Sequence, residues 1–267
     1  MMSLKDFSLE GNVAIVTGAG RGIGKGIALA LAEAGADIVA AARTKGEIEG
    51  TARQVRQIGR RALAIPTDIT RTDQVEAMTE KALKEFGKID ILVNNAGTAI
   101  NKAMVYTPEM QAFPSDKSLT DEEWFTVINT NLTSVFLCCR AVGAHMIQQQ
   151  HGKVVNISSN RSFRAATYRV PYTAAKGGIN QLTKCLALEW ARYNIQVNAI
   201  APGLIRTQLN EEYWQGDGAR GARLTREIPA RRPGEPREVG LMAVYLASPA
   251  SNYVTGQVLV IDGGVAL

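Results

Sequence analysis

Tyr172 and Lys176 stand four residues apart in Pro171-Tyr-Thr-Ala-Ala-Lys176, a segment that reads as helix, so both side chains share one face. A free phenol ionises near pH 10 and is a poor proton carrier at neutral pH. An ammonium one turn away favours the phenolate and is expected to draw that ionisation toward the working range. Tyr-Lys pairs of this spacing also arise by chance on many helices, so the chemistry needs a second signal. It lies in Thr17-Gly18-Ala-Gly20-Arg21-Gly22-Ile23-Gly24, which follows an apolar strand and opens a helix. Gly18 permits a tight turn, Gly22 and Gly24 allow close backbone approach, and the helix start at Ile23 presents free N–H groups to a diphosphate. Glycine triplets alone are weak signals; inside a strand–turn–helix unit they point to a dinucleotide.

A site for NAD needs an acid about 20 residues past such a turn, to bond the ribose 2′-hydroxyl. The second strand instead ends Ala40-Ala-Ala42-Arg43-Thr44-Lys45; Asp37 comes too early and Glu47 lies inside the next helix. Arg43, with Arg21 in the turn, suits a 2′-phosphate, and the expectation is NADP(H) over NAD(H). The competing reading of both arginines is a solvated surface. Ser158 and Ser159 close the strand Lys153-Val-Val-Asn-Ile-Ser158, and alternation along a strand lets only one of them face a cleft. Ser159, 13 residues before Tyr172, is the one chosen by spacing. Tyr168 precedes the helix start and has no lysine four residues on, so it reads as surface or substrate loop. No serine sits in a Gly-x-Ser-x-Gly elbow, which removes support for a hydrolase triad.

The elements that would position these groups repeat. Apolar runs near Val13, Ile38, Ala62 and Ile89 alternate with helical segments ending in Gly35, Gly59 and Gly87. Thr120-Asp-Glu-Glu123 has capping-box spacing for a helix running toward Gln149. A strand at 153–158, a helix from Pro171 to about Tyr193, a strand at 195–201, a helix from Glu235 to Ala247 and a last strand at 258–262 complete the pattern. The expectation is an α/β fold: one doubly wound domain over residues 1–267, about seven parallel strands flanked by helices. Two long connections interrupt it, Gly97–Trp124, with Met104, Tyr106, Met110 and Phe113, and Leu204–Arg237, read as irregular.

Composition sets outer bounds. With 267 residues, 46% hydrophobic and 21% charged, the chain is neither disordered nor fibrous. A net charge of +5 is too weak to argue for nucleic acid, and the arginines of 220–237 are interspersed with Glu227, Glu235 and Glu238. Cys138, Cys139 and Cys185 have no disulfide or CxxC spacing and are expected to be buried and inert. His145 and His151 lack partners at ligand spacing, so no metal site is expected. The first ten residues do not read as a signal peptide, and no apolar run approaches the roughly 20 residues of a membrane span. A cytoplasmic protein without membrane contact is expected.

The turn Thr17–Gly24, with Asn94-Asn95-Ala96-Gly97, Tyr172-x-x-x-Lys176 and Pro202-Gly203 in that order, resembles the short-chain dehydrogenase/reductase family, from Leu9 to Val260-Ile-Asp-Gly-Gly264. Within it the resemblance is to 3-oxoacyl-carrier-protein reductases and to gluconate 5-dehydrogenase-like members. It implies a catalytic set of Asn131, Ser159, Tyr172 and Lys176. Asn131 rather than Asn129 matches, because the family's asparagine precedes leucine; there it sits in a distorted helical turn and holds a proton-relaying water. The resemblance also places Asp68, followed by Ile69, at the adenine. It places Asn95, Ala96 and Gly97 at the adenosine ribose, and Pro202, Gly203, Ile205 and Thr207 at the nicotinamide end. It implies hydride transfer between NADP(H) and a ketone or secondary alcohol, commonly in a homotetramer. The alternative is a Rossmann-type NADP(H) sensor without turnover. The connection after Gly97 is about ten residues longer than usual and is expected to line the substrate side, where arginines of 220–237 would attract an anionic substrate.

Overall fold

The computed structural model describes residues 5–109, 115–214 and 219–267. Seven strands form one parallel sheet: β1 (Val13–Thr17), β2 (Asp37–Ala42), β3 (Ala62–Pro66), β4 (Ile91–Asn94), β5 (Gly152–Ile157), β6 (Ile195–Pro202) and β7 (Val258–Ile261). Their order is β3-β2-β1-β4-β5-β6-β7. A parallel strand needs a crossover, and helices provide it: α1 (Gly22–Glu33), α2 (Lys45–Gln57), α3 (Thr72–Phe86), α4 (Asp121–Ile128), α5 (Ser134–Gln149), α6 (Val170–Trp190) and α8 (Pro236–Ala247). A short helix α7 (Ala219–Arg226) lies within the connection after β6.

Both faces of the sheet are covered, which is why β1, β4, β5 and β6 are buried throughout and are mainly apolar, with hydrogen-bonded polar residues such as Asn94, Asn156 and Asn198 among them. The period of two still sorts side chains between the faces. Ala14 and Val16 pack with Ile27, Leu31 and Val239 of α1 and α8. Val13 and Ile15 pack on the other face with Met78, Val142 and Ile179 of α3, α5 and α6. Gly35, Gly59 and Gly87 take positive φ at the helix ends, as expected. Strand order reverses between β1 and β4, and an open α/β sheet binds its ligands in the crevice beyond the carboxyl ends at such a point.

The structure corrects several expectations. β4 begins at Ile91 rather than near Ile89, and the Asp90 carboxylate before it accepts from Val13 N at 2.8 Å. The connection after β6 is not irregular throughout, since Gln208–Trp214 forms tight helical turns before α7. Cys138 and Cys139 are buried, and burial pushes both thiols up, but Cys185 is exposed on the outer face of α6. The helical run Asp121–Gln149 is long and apolar enough to pass as a membrane span. Here its apolar side, with Val135, Cys138, Val142 and Met146, is core. Met110 and Phe113 lie outside the described residues.

Candidate active site

The glycine turn is built from both sides. Gly18 and Gly22 have φ of 65° and 54°, the left-handed region where a side chain is disfavoured. At Gly24 a Cβ would sit 2.2 Å from Gly18 O and 2.3 Å from Asn95 Nδ2. Asn95 Nδ2 donates to Thr17 O at 2.9 Å and Gly18 O at 3.3 Å. Thr17 Oγ1 in turn accepts from Asn95 N at 3.0 Å and Ala96 N at 3.2 Å. Asn95 and Ala96 thus lock the turn to the end of β4, with the Asn95 side chain holding protein rather than pointing out to a ribose. Arg21 caps α1 without a side-chain hydrogen bond, so the first-turn N–H groups keep no side-chain acceptor. A bare helix start beside a backbone that no Cβ obstructs fits the diphosphate of a dinucleotide. Thr207 comes over the same turn: a Cβ on Gly22 would lie 3.4 Å from Thr207 Cγ2.

Toward the adenosine end, Asp68 Oδ1 accepts from Thr70 Oγ1 at 2.7 Å and Thr70 N at 3.0 Å. Burial opposes its ionisation, but the Thr70 hydrogen bonds and the nearby charges of Arg43 and Arg71 hold the carboxyl below its ordinary range. Ile69 is part of the core, so only its backbone is available to a ligand. Arg43 is exposed. Arg21 is not free: Glu47 lies 3.8 Å from it, in the first turn of α2 and against Gly20. The acid discounted for its position inside a helix therefore does reach the glycine turn.

Between α4 and α5 the helix takes one π turn, Asn129–Thr133, which rotates Asn131 inward. Its Nδ2 donates to Thr98 O at 2.8 Å and Val127 O at 2.9 Å, and its Oδ1 is buried without a partner. Gly97 explains itself here: a Cβ would lie 2.6 Å from Asn131 Oδ1 and 3.8 Å from Lys176 Nζ. Lys176, 4% exposed, donates to Ile157 O at 2.7 Å, and its Nζ stands 5.7 Å from the centre of the Tyr172 ring. Pro171 supplies the first turn of α6, where its missing N–H costs nothing.

The two serines divide as alternation requires. Ser158 is spent inward, donating to Asn180 Oδ1 at 2.6 Å, whereas Ser159 turns its hydroxyl toward the Tyr172 phenol. Electrostatics correct one expectation. Burial holds the Tyr172 phenol above its usual range; Ser159 and the charges of Arg169 and Arg161 oppose this without overcoming it. Lys176, drawn down to about 8 by burial, is not among the charges that favour the phenolate.

Arg161 and Arg169, whose charges both reach the Tyr172 phenol, escaped the sequence reading, although their positions two after Ser159 and three before Tyr172 were visible. Three of the expected anion attractors in 220–237 are engaged within the protein. Arg232 binds Glu238 at 2.6 Å, Arg237 pairs with Glu33, and Arg231 donates to Arg226 O. Pro202 ends β6 buried, Gly203 N donates to Ile261 O at 2.9 Å, and Ile205 is buried beside Gly234. The long connection after β4 reaches the segment before α6, where Lys102 N donates to Tyr168 O at 2.9 Å.

A family model described as enoyl-(acyl carrier protein) reductase, within the short-chain dehydrogenase/reductases, matches residues 18–266. The chain belongs to the short-chain dehydrogenase/reductase family. It is 42% identical over 265 residues to 2-dehydro-3-deoxy-D-gluconate 5-dehydrogenase of Escherichia coli, covering 98% of each chain. It is 37% identical to the 3-oxoacyl-[acyl-carrier-protein] reductase FabG of Thermotoga maritima, covering 97% of this chain and 99% of the other. Among solved structures, the gluconate 5-dehydrogenase of Burkholderia cenocepacia in complex with NADP and tartrate superposes with a TM-score of 0.87 at 39% identity, covering 98% of each chain. As a member of the short-chain dehydrogenases, the protein is an NAD(P)-dependent oxidoreductase acting on CH–OH or carbonyl groups. The reading as a sensor without turnover finds no support among these relatives.

Proposed function

We propose that the protein interconverts a keto and a secondary-alcohol form of a sugar acid with NADP(H), with Tyr172 as the proton-transferring group. The observation that carries this is the convergence of the Tyr172 phenol, Ser159 hydroxyl, Lys176 ammonium and unpartnered Asn131 oxygen beyond the carboxyl ends of β4 and β5. Six of the relatives at 38–42% identity are named for sugar-acid substrates. The glycine turn, Asp68, Ile69, the 95–97 segment and the Pro202–Thr207 segment would hold the coenzyme, with Arg21 and Arg43 favouring a 2′-phosphate. When bound, the nicotinamide gives or takes the hydride at the carbonyl carbon.

In the reduction Tyr172 gives its proton to the substrate oxygen, which the Ser159 hydroxyl holds by a hydrogen bond. Burial keeps the phenol protonated at neutral pH, the form this direction needs. Lys176 and Asn131 return a proton to the phenolate, the free Asn131 Oδ1 offering an acceptor for the relaying water. In the oxidation Tyr172 must start deprotonated, so that direction speeds up as pH rises through the alkaline range.

A single domain fits the one continuous sheet, and the cytoplasm is the proposed compartment. Assembly as a homotetramer is supported by the exposed Phe125, Phe136 and Leu188 on α4, α5 and α6, faces that further copies would cover. Sedimentation velocity checks this. The functional reading is tested by assaying keto and hydroxy sugar acids, acyl thioesters and small ketones with NADPH and NADH in parallel. Best kcat/KM on a sugar acid with NADPH supports it, and best turnover on a thioester overturns the substrate class.

A further inference from the structure

Between Ser159 and Tyr172 the chain carries three arginines, Arg161, Arg164 and Arg169, and no acid. Backbone contacts place the first and last beside the reacting groups. Arg161 N donates to Ser159 Oγ at 3.2 Å, and Ser162 Oγ donates to Ser159 O at 2.5 Å, closing a short turn on the serine. Arg169 immediately precedes α6: Thr173 N donates to its carbonyl at 2.9 Å, and Lys102 N holds the carbonyl of the preceding Tyr168. Arg164 is committed elsewhere, donating to Val265 O at 3.2 Å.

Arg161 and Arg169 are half-buried, yet among the described residues neither has a carboxylate within ion-pair distance and neither side chain donates a hydrogen bond to protein. The arginines after β6 show the contrast, for there the cations meet Glu211, Glu238 and Glu33. Partly desolvated charge without a counter-ion is costly and marks a place where an anion is missing. Burial first, then the like charges of Arg169 and Arg164, hold the Arg161 guanidinium below its usual range, and Glu227 offsets this in part. Both guanidinium charges reach the Tyr172 phenol and Arg169 reaches Arg161, so an anion held by the pair belongs to the same site as the reacting oxygen.

We propose that Arg161 and Arg169 form the subsite for the substrate's carboxylate, making the enzyme prefer a keto acid to a neutral ketone of the same length. The guanidinium fork matches a carboxylate in two parallel hydrogen bonds, which a hydroxyl or carbonyl cannot do. This rests on the reading of Tyr172 and Ser159 as the centre of carbonyl chemistry.

The test compares a keto-hexonate with its primary amide, which differ at the carboxyl group alone, using NADPH and the wild-type, Arg161→Gln, Arg169→Gln, Arg161→Lys and Arg169→Lys enzymes. Arg232→Gln serves as a control at a cation already paired. The readout is the ratio of kcat/KM for acid over amide, in which any general loss of activity cancels. The wild type should favour the acid, and each Gln variant should lower the ratio about tenfold or more, mainly through KM. The Lys variants should recover part of it, and Arg232→Gln should leave it unchanged. A wild-type ratio near one, or Gln variants with the wild-type ratio, overturns the carboxylate subsite while leaving the oxidoreductase intact. Failure of the wild type to reduce acid, amide or any other ketone with either coenzyme overturns the functional reading, and the subsite with it.

Discussion

Lys153 and Lys176 are two buried lysines at opposite ends of the same sheet. Both are drawn down to about 8 by burial, and neither has a carboxylate partner. Neutral oxygens hold both: Asn252 Oδ1 at 2.8 Å and Ser251 Oγ at 3.3 Å for Lys153, Ile157 O at 2.7 Å for Lys176. By titration alone they are indistinguishable. Their surroundings differ. Ser251 Oγ already bonds Leu246 O and Ser248 O, so Lys153 sits in a saturated corner at the amino end of β5. Lys176 faces an aromatic ring and an asparagine oxygen that lacks a partner. A perturbed pKa marks burial; unfilled hydrogen-bonding capacity at the carboxyl edge marks the working site.

Five experiments sharpen or break this comparison. Tyr172→Phe removes the group that gives Lys176 its task; kcat should fall by about 10³-fold, with NADPH affinity retained by fluorescence titration. Next, Lys176→Met should cost about 10²-fold in kcat. Lys153→Met should stay within about twofold of wild type, because its ammonium touches nothing that reacts. Equal losses from the two lysine variants would erase the distinction.

Stability against pH tests what the lysines share. Each has a folded pKa near 8, below its unfolded value near 10.4, so the unfolded chain binds more protons between these limits and stability rises with pH across that window. The gain is at most about 3 kcal/mol per lysine. In Lys153→Met, denaturant midpoints measured from pH 8 to 10 should rise about half as steeply as in the wild type. The smallest effect is expected at an exposed pair. Glu47→Gln releases Arg21 and should raise the NADPH-over-NADH preference in kcat/KM by a few-fold, with an unchanged preference showing that Arg21 does not read the 2′-phosphate.

The features legible in the sequence were those with a local period or a local steric demand. The βαβ rhythm, the glycine turn, the helix ends and the Thr120 capping box each follow from residues near one another, and all appear in the structure. Asn131 had no such mark, because a π turn of Asn129–Thr133 leaves the apolar pattern on either side intact; only the family resemblance pointed to it. The upward pull on the Tyr172 phenol was not legible, because a lysine four residues away is visible in sequence, whereas burial is not. Counting arginines pointed to 220–237, but a cation's availability depends on partners such as Glu33, 204 residues from Arg237.

The π turn has a consequence for engineering. Deleting one residue from 129–133 would let the chain run as unbroken α-helix from the Thr120 cap to Gln149, a more regular element. With a cut after Asn131, it would also swing everything before the cut by about 100° relative to α5, turning the Asn131 side chain away from the Thr98 carbonyl and Gly97 that now meet it. An optimiser rewarding helical regularity would find that edit attractive and disable the enzyme by making it.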